Sequence, residues 1–155
     1  MTADSRPILW VDADACPKSL KEIIYRASFR LQLQVFIVAN SYMQVPPGPL
    51  VRSIQVNAGA DEADNYIVDE VRPQDIVITA DIPLAARVVE KGSVAIDHRG
   101  DRYTEENVRE RLSIRDFMKD VRDSGIVTSG PPPFGPKDVE RFANSLNMLL
   151  AKIKP

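Results

Sequence analysis

Two aspartates one residue apart, Asp12 and Asp14, follow directly on the apolar run Ile8-Leu-Trp-Val11. Such a run reads as a strand buried on both faces, so the pair would leave its carboxyl end. Three further places carry acids at the ends of similar segments: Asp81 after the stretch Asp75 to Thr79, Asp97 after Val94 to Ile96, and Asp61 with Asp64 at the start of a helical stretch. In open α/β sheets, ligands collect in the crevice beyond the carboxyl ends of the strands. Carboxylates gathered there repel one another and raise each other's pKa unless a cation neutralises them. An all-oxygen donor set with no paired His or Cys suits hard Mg²⁺ or Mn²⁺ rather than Zn²⁺. Aspartate is also a common helix cap and dipole partner. One alone would say nothing, but several from separate elements at one face point to a metal or phosphate role.

The elements that must position these acids can be read from periodicity. After the first strand, Pro17 suits a first helical turn, and Leu20, Ile23, Ile24, Ala27 and Leu31 recur at helical spacing, giving a helix over about 17–30. Val35 to Ala39 repeats the buried-strand pattern and stops at Asn40, before the loop that Pro46, Pro47, Gly48 and Pro49 enforce. Ser53 to Val56 reads as a third strand and Ala60 to Val71 as a helix with Ala63, Ile67 and Val71 on one face. Asp75 to Thr79 is a fourth strand, Pro83 to Lys91 a helix stopped by Gly92, and Val94 to Ile96 the last strand. Strands and helices in this alternation generate an α/β fold with a mostly parallel sheet covered by helices.

Beyond Asp97 the chain becomes helical and charged. Thr104 with Asn107 and Ser113 with Asp116 look like helix starts, the Ser113 case being nearer a capping box, and Gly125 ends that helix. A Pro/Gly loop at 130–136 precedes a terminal helix over 137–153, whose stripe of Val139, Phe142, Leu146, Leu149 and Ile153 should pack back on the domain. A chain of 155 residues is near the commonest domain size, so one domain over 1–155 is expected, with residues 1–7 a flexible N-terminus.

Composition limits the function classes. Twenty basic against 22 acidic residues leave a net charge of −2, so nucleic acid would need a local basic face rather than an overall positive field. A single cysteine, Cys16, makes no internal disulfide, and no charged and then apolar leader opens the sequence, which points to a reducing cytoplasm. No apolar run is long enough to span a bilayer, and no membrane association is expected.

Three phrases, Trp10-Val-Asp-Ala-Asp-Ala-Cys-Pro, Ala60-Asp-Glu-Ala-Asp-Asn-Tyr-Ile-Val and Val77-Ile-Thr-Ala-Asp-Ile-Pro-Leu-Ala, resemble the bacterial YaiI/YqxD family, usually grouped with PIN-like domains. Tyr103-Thr and Arg109-Glu-Arg-Leu-Ser-Ile-Arg-Asp-Phe-Met extend the likeness, which runs from about Ile8 to Gly130. The resemblance implies a PIN-like three-layer fold. It also implies Mg²⁺ or Mn²⁺ held by an acid after the first strand, an acid opening a central helix and an acid in a Thr-x-Asp turn after the fourth strand. Here those are Asp12, Asp64 and Asp81, with Asp14 an addition and Thr79 preceding the third. Metal-assisted hydrolysis of a phosphodiester, RNA above all, is the implied activity. Asn40, Thr79 and Arg115 are the candidate substrate contacts. No fourth acid matches clearly, and whether Asp61 or Asp97 joins the set is open.

A rival enzyme reading uses the same residues. An apolar strand followed by Asp-x-Asp also begins haloacid-dehalogenase-type phosphatases, with Asp12 as nucleophile, Asp14 as general acid, Thr79 binding phosphate and Lys91 neutralising charge. A third reading is a non-catalytic RNA-binding or adaptor module, for which Arg99, Arg102, Arg109, Arg111, Arg115, Lys119 and Arg122 would form a backbone track. Interleaved Glu105, Glu106, Glu110, Asp116 and Asp120 favour a solvated face for most of these, with Arg115 the one expected to point back to the sheet. Cys16 at a helix start could be a reactive thiolate but is expected to be a buried small residue. His98 is expected in a surface loop and Trp10 in the core.

Overall fold

A computed structural model describes residues 6–59, 61–125 and 133–152. Its strands are Leu9–Asp12 (β1), Val35–Ala39 (β2), Val51–Gln55 (β3), Ile76–Ile78 (β4), Val94–Ile96 (β5) and Arg102–Tyr103 (β6). The helices are Lys18–Leu31 (α1), Glu62–Glu70 (α2), Ile82–Glu90 (α3), Glu105–Asp123 (α4) and Pro136–Leu150 (α5). One sheet contains all six strands in the order β3-β2-β1-β4-β5-β6, parallel except for the antiparallel β5/β6 pair. After β1 the chain builds outward through β2 and β3, then returns to lay β4 on the other side of β1. The seam between β1 and β4 is therefore the topological switch point, where open α/β sheets form their crevice.

Alternation along the strands decides which helices meet which residues. Leu9 and Val11 of β1, with Ile76 and Ile78 of β4, enter a core shared with α1 and α5, while Trp10 and Val77 enter the opposite core, shared with α2, α3 and α4. Asp12 has the same parity as Trp10 and so faces the side on which α2 and α3 begin. Both cores are apolar: Leu20 and Ile24 of α1 and Phe142 and Leu146 of α5 are fully buried, as are Ile67, Leu84 and Val88 on the other side. The terminal helix packs on the sheet as its stripe requires, although Ile153 and residues 126–132 of the preceding segment lie outside the described residues.

Several expectations need correction. The sheet does not end at Ile96: a tight loop at 97–101, with Gly100 at φ +91°, turns the chain back into β6. A two-residue strand has too few positions to show a hydrophobic period. A Cβ on Gly100 would sit 2.7 Å from the Arg141 carbonyl oxygen and from Ser145 Oγ, so both its left-handed conformation and its contact with α5 require glycine. The third strand starts at Val51, two residues before the apolar pattern suggests, because this edge strand buries only Val51 fully and the rest of its ladder is backbone pairing with β2. No helix starts at Ser113. Thr104 caps one long helix, its hydroxyl accepting the Asn107 N–H at 3.1 Å while Asn107 Oδ1 accepts the Thr104 N–H at 2.8 Å, a reciprocal box in which Asn replaces the usual Glu or Gln. Arg6 and Pro7 are not a loose tail. Pro7 is buried, and the Arg6 guanidinium donates to the Leu31 and Gln32 carbonyls.

The amino end of the sheet is held by Asp75, whose side chain is fully buried. It accepts the Ile8 N–H at 2.9 Å, the Trp10 indole N–H at 2.9 Å, the Arg72 N–H at 3.0 Å and the Arg72 guanidinium at 2.9 Å. One carboxylate thus ties β1 to β4 at the end opposite the switch-point crevice. Removing one partner of a buried pair strands the other without compensation. Asp75→Ala is expected to cost about 3–5 kcal/mol, read as a lowered denaturant midpoint.

Candidate functional site

At the carboxyl ends of β1 and β4 the chain leaves the sheet through two short turns, and one side chain joins them. Thr79 Oγ1 donates to Asp12 Oδ2 at 2.7 Å and accepts the Asp81 backbone N–H at 2.9 Å. Thr79 is fully buried and its N–H reaches the Ile96 carbonyl at 3.1 Å, so it sits as a continuation of the ladder between β4 and β5. The hydroxyl both fixes the rotamer of Asp12 and folds the turn that carries Asp81 into α3. Asp81 is also a helix cap, its Oδ1 accepting the Leu84 N–H at 3.0 Å. The capping explanation of this residue is therefore correct as far as one oxygen goes.

On the other side of β1, Asp14 receives the Asn40 backbone N–H on both oxygens, at 3.2 and 3.1 Å. The Asn40 amide donates in turn to the Asn57 and Gly59 carbonyls at 3.0 and 3.2 Å, holding the loop that leads into α2. Asn40 is thus a brace for the rim. Asp64 lies in the first turn of α2. Together Asp12, Asp14, Asp64 and Asp81 line one cavity of about 640 Å³, with Asn40, Ala15, Ala58, Gly59, Ala63, Ala80 and His98 completing its wall. The small residues keep it open, and the phrases Asn57-Ala-Gly and Thr79-Ala-Asp are the sequence signal that could have announced them.

The electrostatics follow from four acids around one space. Burial raises the Asp12 pKa, the Thr79 hydrogen bond opposes this, and Asp81 and Asp14 raise it further. Asp64 is pushed up to about 6 by burial and then by Asp81, Asp12 and Asp61, with Arg87 pulling the other way. The wall thus carries more negative charge than its own cations offset, and its donors are hard oxygens, a chemistry that fits Mg²⁺ or Mn²⁺. Among the described residues, no three His, Cys, Asp or Glu side chains are already drawn together into a coordination sphere. The acids line the cavity without converging on one point.

Other sequence candidates lie elsewhere. Asp61 flanks α2 without lining the cavity, and Asp97 is occupied in its own loop, accepting the Arg99 and Asp101 N–H groups at 2.9 Å and pairing with Arg111 at 3.1 Å. Arg115 does not point back to the sheet. It is exposed on α4 beside Asp116, because the distal half of that helix extends past the neighbour that covers Val108 and Leu112. Lys91 is at the far end of α3 from Asp81, about 15 Å away along the helix axis from cap to cap. There Nζ donates to the Val68 and Val71 carbonyls at 2.5 and 3.1 Å, which removes the charge-neutralising lysine from the phosphatase reading. Of the basic track, Arg99 pairs with Asp138 and Arg111 with Asp97 and Asp101. Cys16 is buried and its thiol is pushed up to about 12, mainly by burial, so it is protonated and inert at neutral pH. His98, expected in a surface loop, is a wall residue of the cavity. Burial lowers its pKa, favouring the neutral ring, and its shielded Nε2 has no hydrogen-bond partner among the described residues.

The raised pKa of Asp64 has a sign that can be tested. A carboxyl that titrates near 6 when folded and near 3.8 when unfolded binds more protons in the folded state between those values. Its stabilising contribution is complete below the unfolded pKa and is lost as pH rises through about 6. Asp64→Asn is therefore expected to raise stability by about 1 kcal/mol near pH 8, after allowance for solvent screening of a half-buried group. Near pH 4 it should change little. Thermal unfolding at both pH values checks this, and equal effects at the two would contradict it.

The family profile described as "Uncharacterized BCR, YaiI/YqxD family" matches residues 10–152. A UPF0178 protein of Marinomonas sp. (strain MWYL1) is 54% identical over 144 residues, covering 93% of this chain and 97% of its own. Another from Proteus mirabilis (strain HI4320) is 53% identical over 146 residues, and one from Shewanella baltica (strain OS155 / ATCC BAA-1091) is 51% identical over 145, each covering 94% of this chain and 97% of its own. No solved structure matches the chain. Matched along nearly its whole length both by the family profile and by relatives that share half its residues, the chain belongs to the YaiI/YqxD family.

Proposed function

We propose that this chain is a Mg²⁺- or Mn²⁺-dependent phosphodiester hydrolase of the PIN-like type, acting on RNA. The observation that carries the reading is the meeting of Asp12, Asp14, Asp64 and Asp81 around one cavity at the switch point of the sheet. They come from three places, the end of β1, the first turn of α2 and the cap of α3, and burial, with their mutual repulsion added to it, raises the proton affinity of Asp12 and Asp64. Carboxylates that stabilise only the fold would be expected to find cationic partners, as Asp75 does in Arg72 and Asp97 in Arg111, whereas among the described residues no Arg or Lys lines this cavity.

Asp12, Asp64 and Asp81, with Asp14, would hold the ion, which when bound supplies Lewis-acid activation of the phosphodiester and of a water. The chain's own contributions are positional. Thr79 fixes the Asp12 carboxylate, Asn40 braces the rim, and α2 and α3 both begin at the cavity wall, so that the positive ends of their dipoles favour an anionic substrate. The unneutralised acid wall would repel a phosphate chain, so cation and substrate should bind together. The PIN-like resemblance supplies RNA as the substrate class.

Titration of Mn²⁺ by calorimetry into the wild type, Asp12→Asn and Asp81→Asn tests the site, with cleavage of a pool of single-stranded and structured RNA measured on the same samples. Asparagine is chosen at position 81 because it caps a helix as well as aspartate does. The expected outcome is a fall in Mn²⁺ affinity of about tenfold or more in both folded variants, and Mn²⁺-dependent cleavage that both lose. Unchanged affinity in both would remove the site, and binding without cleavage would remove the nuclease.

A further inference from the structure

We propose that Tyr103 is a positioning residue for the acid-lined cavity: with its ring held beneath the Arg111 guanidinium, its hydroxyl fixes the Thr79 peptide and through it the aim of Asp12 and Asp81. The inference deepens the reading of that cavity as a cation site and rests on it for its functional meaning, but its structural half stands alone.

Tyr103 is on the short edge strand β6, paired with Ala95, and is 3% exposed. From there its Oη–H reaches the Thr79 carbonyl at 3.2 Å in a buried contact. Every polar group of Thr79 is then engaged. Its N–H goes to Ile96, its carbonyl accepts from Tyr103, and its hydroxyl donates to Asp12 while accepting the Asp81 N–H. A residue saturated on all sides has one arrangement, and a buried carbonyl stripped of its donor would seek another. The ring itself is clamped, with the Arg111 guanidinium 4.7 Å from its centroid. Arg111 cannot swing away, since it also pairs with Asp97 at 3.1 Å and Asp101 at 3.4 Å. Burial pushes the phenol up to about 12, so the hydroxyl remains a donor at every working pH. Packing alone would be served equally by phenylalanine, because the ring fills the same space. The hydroxyl is what reaches the Thr79 carbonyl, with Arg111 as its other polar neighbour.

Tyr103→Phe separates the two roles. Amide hydrogen exchange, thermal unfolding and Mn²⁺ calorimetry would be followed on the intact chain. If the hydroxyl positions the turn, the variant unfolds as cooperatively as the wild type. The Asp81 and Thr79 amides then exchange about tenfold faster relative to core amides such as Ile37 and Val77, and Mn²⁺ affinity weakens by about tenfold, the usual effect of losing an outer-shell partner. Arg111→Gln, which frees the ring, should change the same two amides in the same direction. Exchange at Asp81 and Thr79 that is unchanged, or accelerated only in step with the whole core, overturns the proposal. A wild type that binds no Mn²⁺ would discard the cation reading, while the exchange pattern would still decide whether Tyr103 sets the turn.

Discussion

The hydrogen bond from Thr79 to Asp12 crosses the seam where the sheet changes direction, and the arrangement of the cavity depends on it. Parallel strands leave their last backbone groups at the carboxyl end without a ladder to join, and at a switch point the two neighbouring chains diverge to opposite sides. A buried hydroxyl spans that gap, donating to one strand's carboxylate and accepting from the turn of the other. Because the same hydroxyl folds the turn into α3, it couples the direction of Asp12 to that of Asp81. The opposite end of the same seam is closed by Asp75, which binds both strands and the indole of Trp10.

Those two carboxylates show what decides between a structural and a chemical role. Asp75 is fully buried yet surrounded by donors and a guanidinium, so its charge is compensated within the fold. Asp12, Asp14, Asp64 and Asp81 sit at a rim, with hydroxyl or backbone donors for three of them but mainly one another as charged neighbours. The fold half-buries these acids beside one another, and Asp64 resists ionisation first because burial strips it of water and then because Asp81, Asp12 and Asp61 stand near it. An arrangement that disfavours its own charged state favours whatever neutralises it, which is the physical basis for assigning a divalent cation here. The neutral His98 on the same wall adds no positive charge to relieve the repulsion.

Much of this was legible in the chain. Continuous apolar runs marked β1, β2, β4 and β5 because parallel strands are buried on both faces, and the acids that follow β1 and β4 lie at one end of the sheet, while Asp97 after β5 is taken up by its own loop. What was not legible depended on contacts distant in sequence. Arg115 sits in the exposed distal half of a helix that has no neighbour there among the described residues, and no pattern within α4 reveals where its cover stops. Lys91 reads as a free cation until α2 is laid beside α3 and its last carbonyls claim the ammonium. β6 and the Thr104 box escaped for local reasons, one too short to show a period and the other using Asn where Glu or Gln is usual. His98 reached the cavity only because the hairpin at Gly100 folds its loop back over the strand ends.

The central claim is that the charge excess at the switch point is a cation site, and crystals soaked in Mn²⁺ test it most directly. An anomalous difference peak within the cavity, within bonding distance of Asp12 and Asp81, is the result this account requires. Manganese bound only elsewhere on the surface, or a cavity that stays free of it at millimolar concentration, would contradict it.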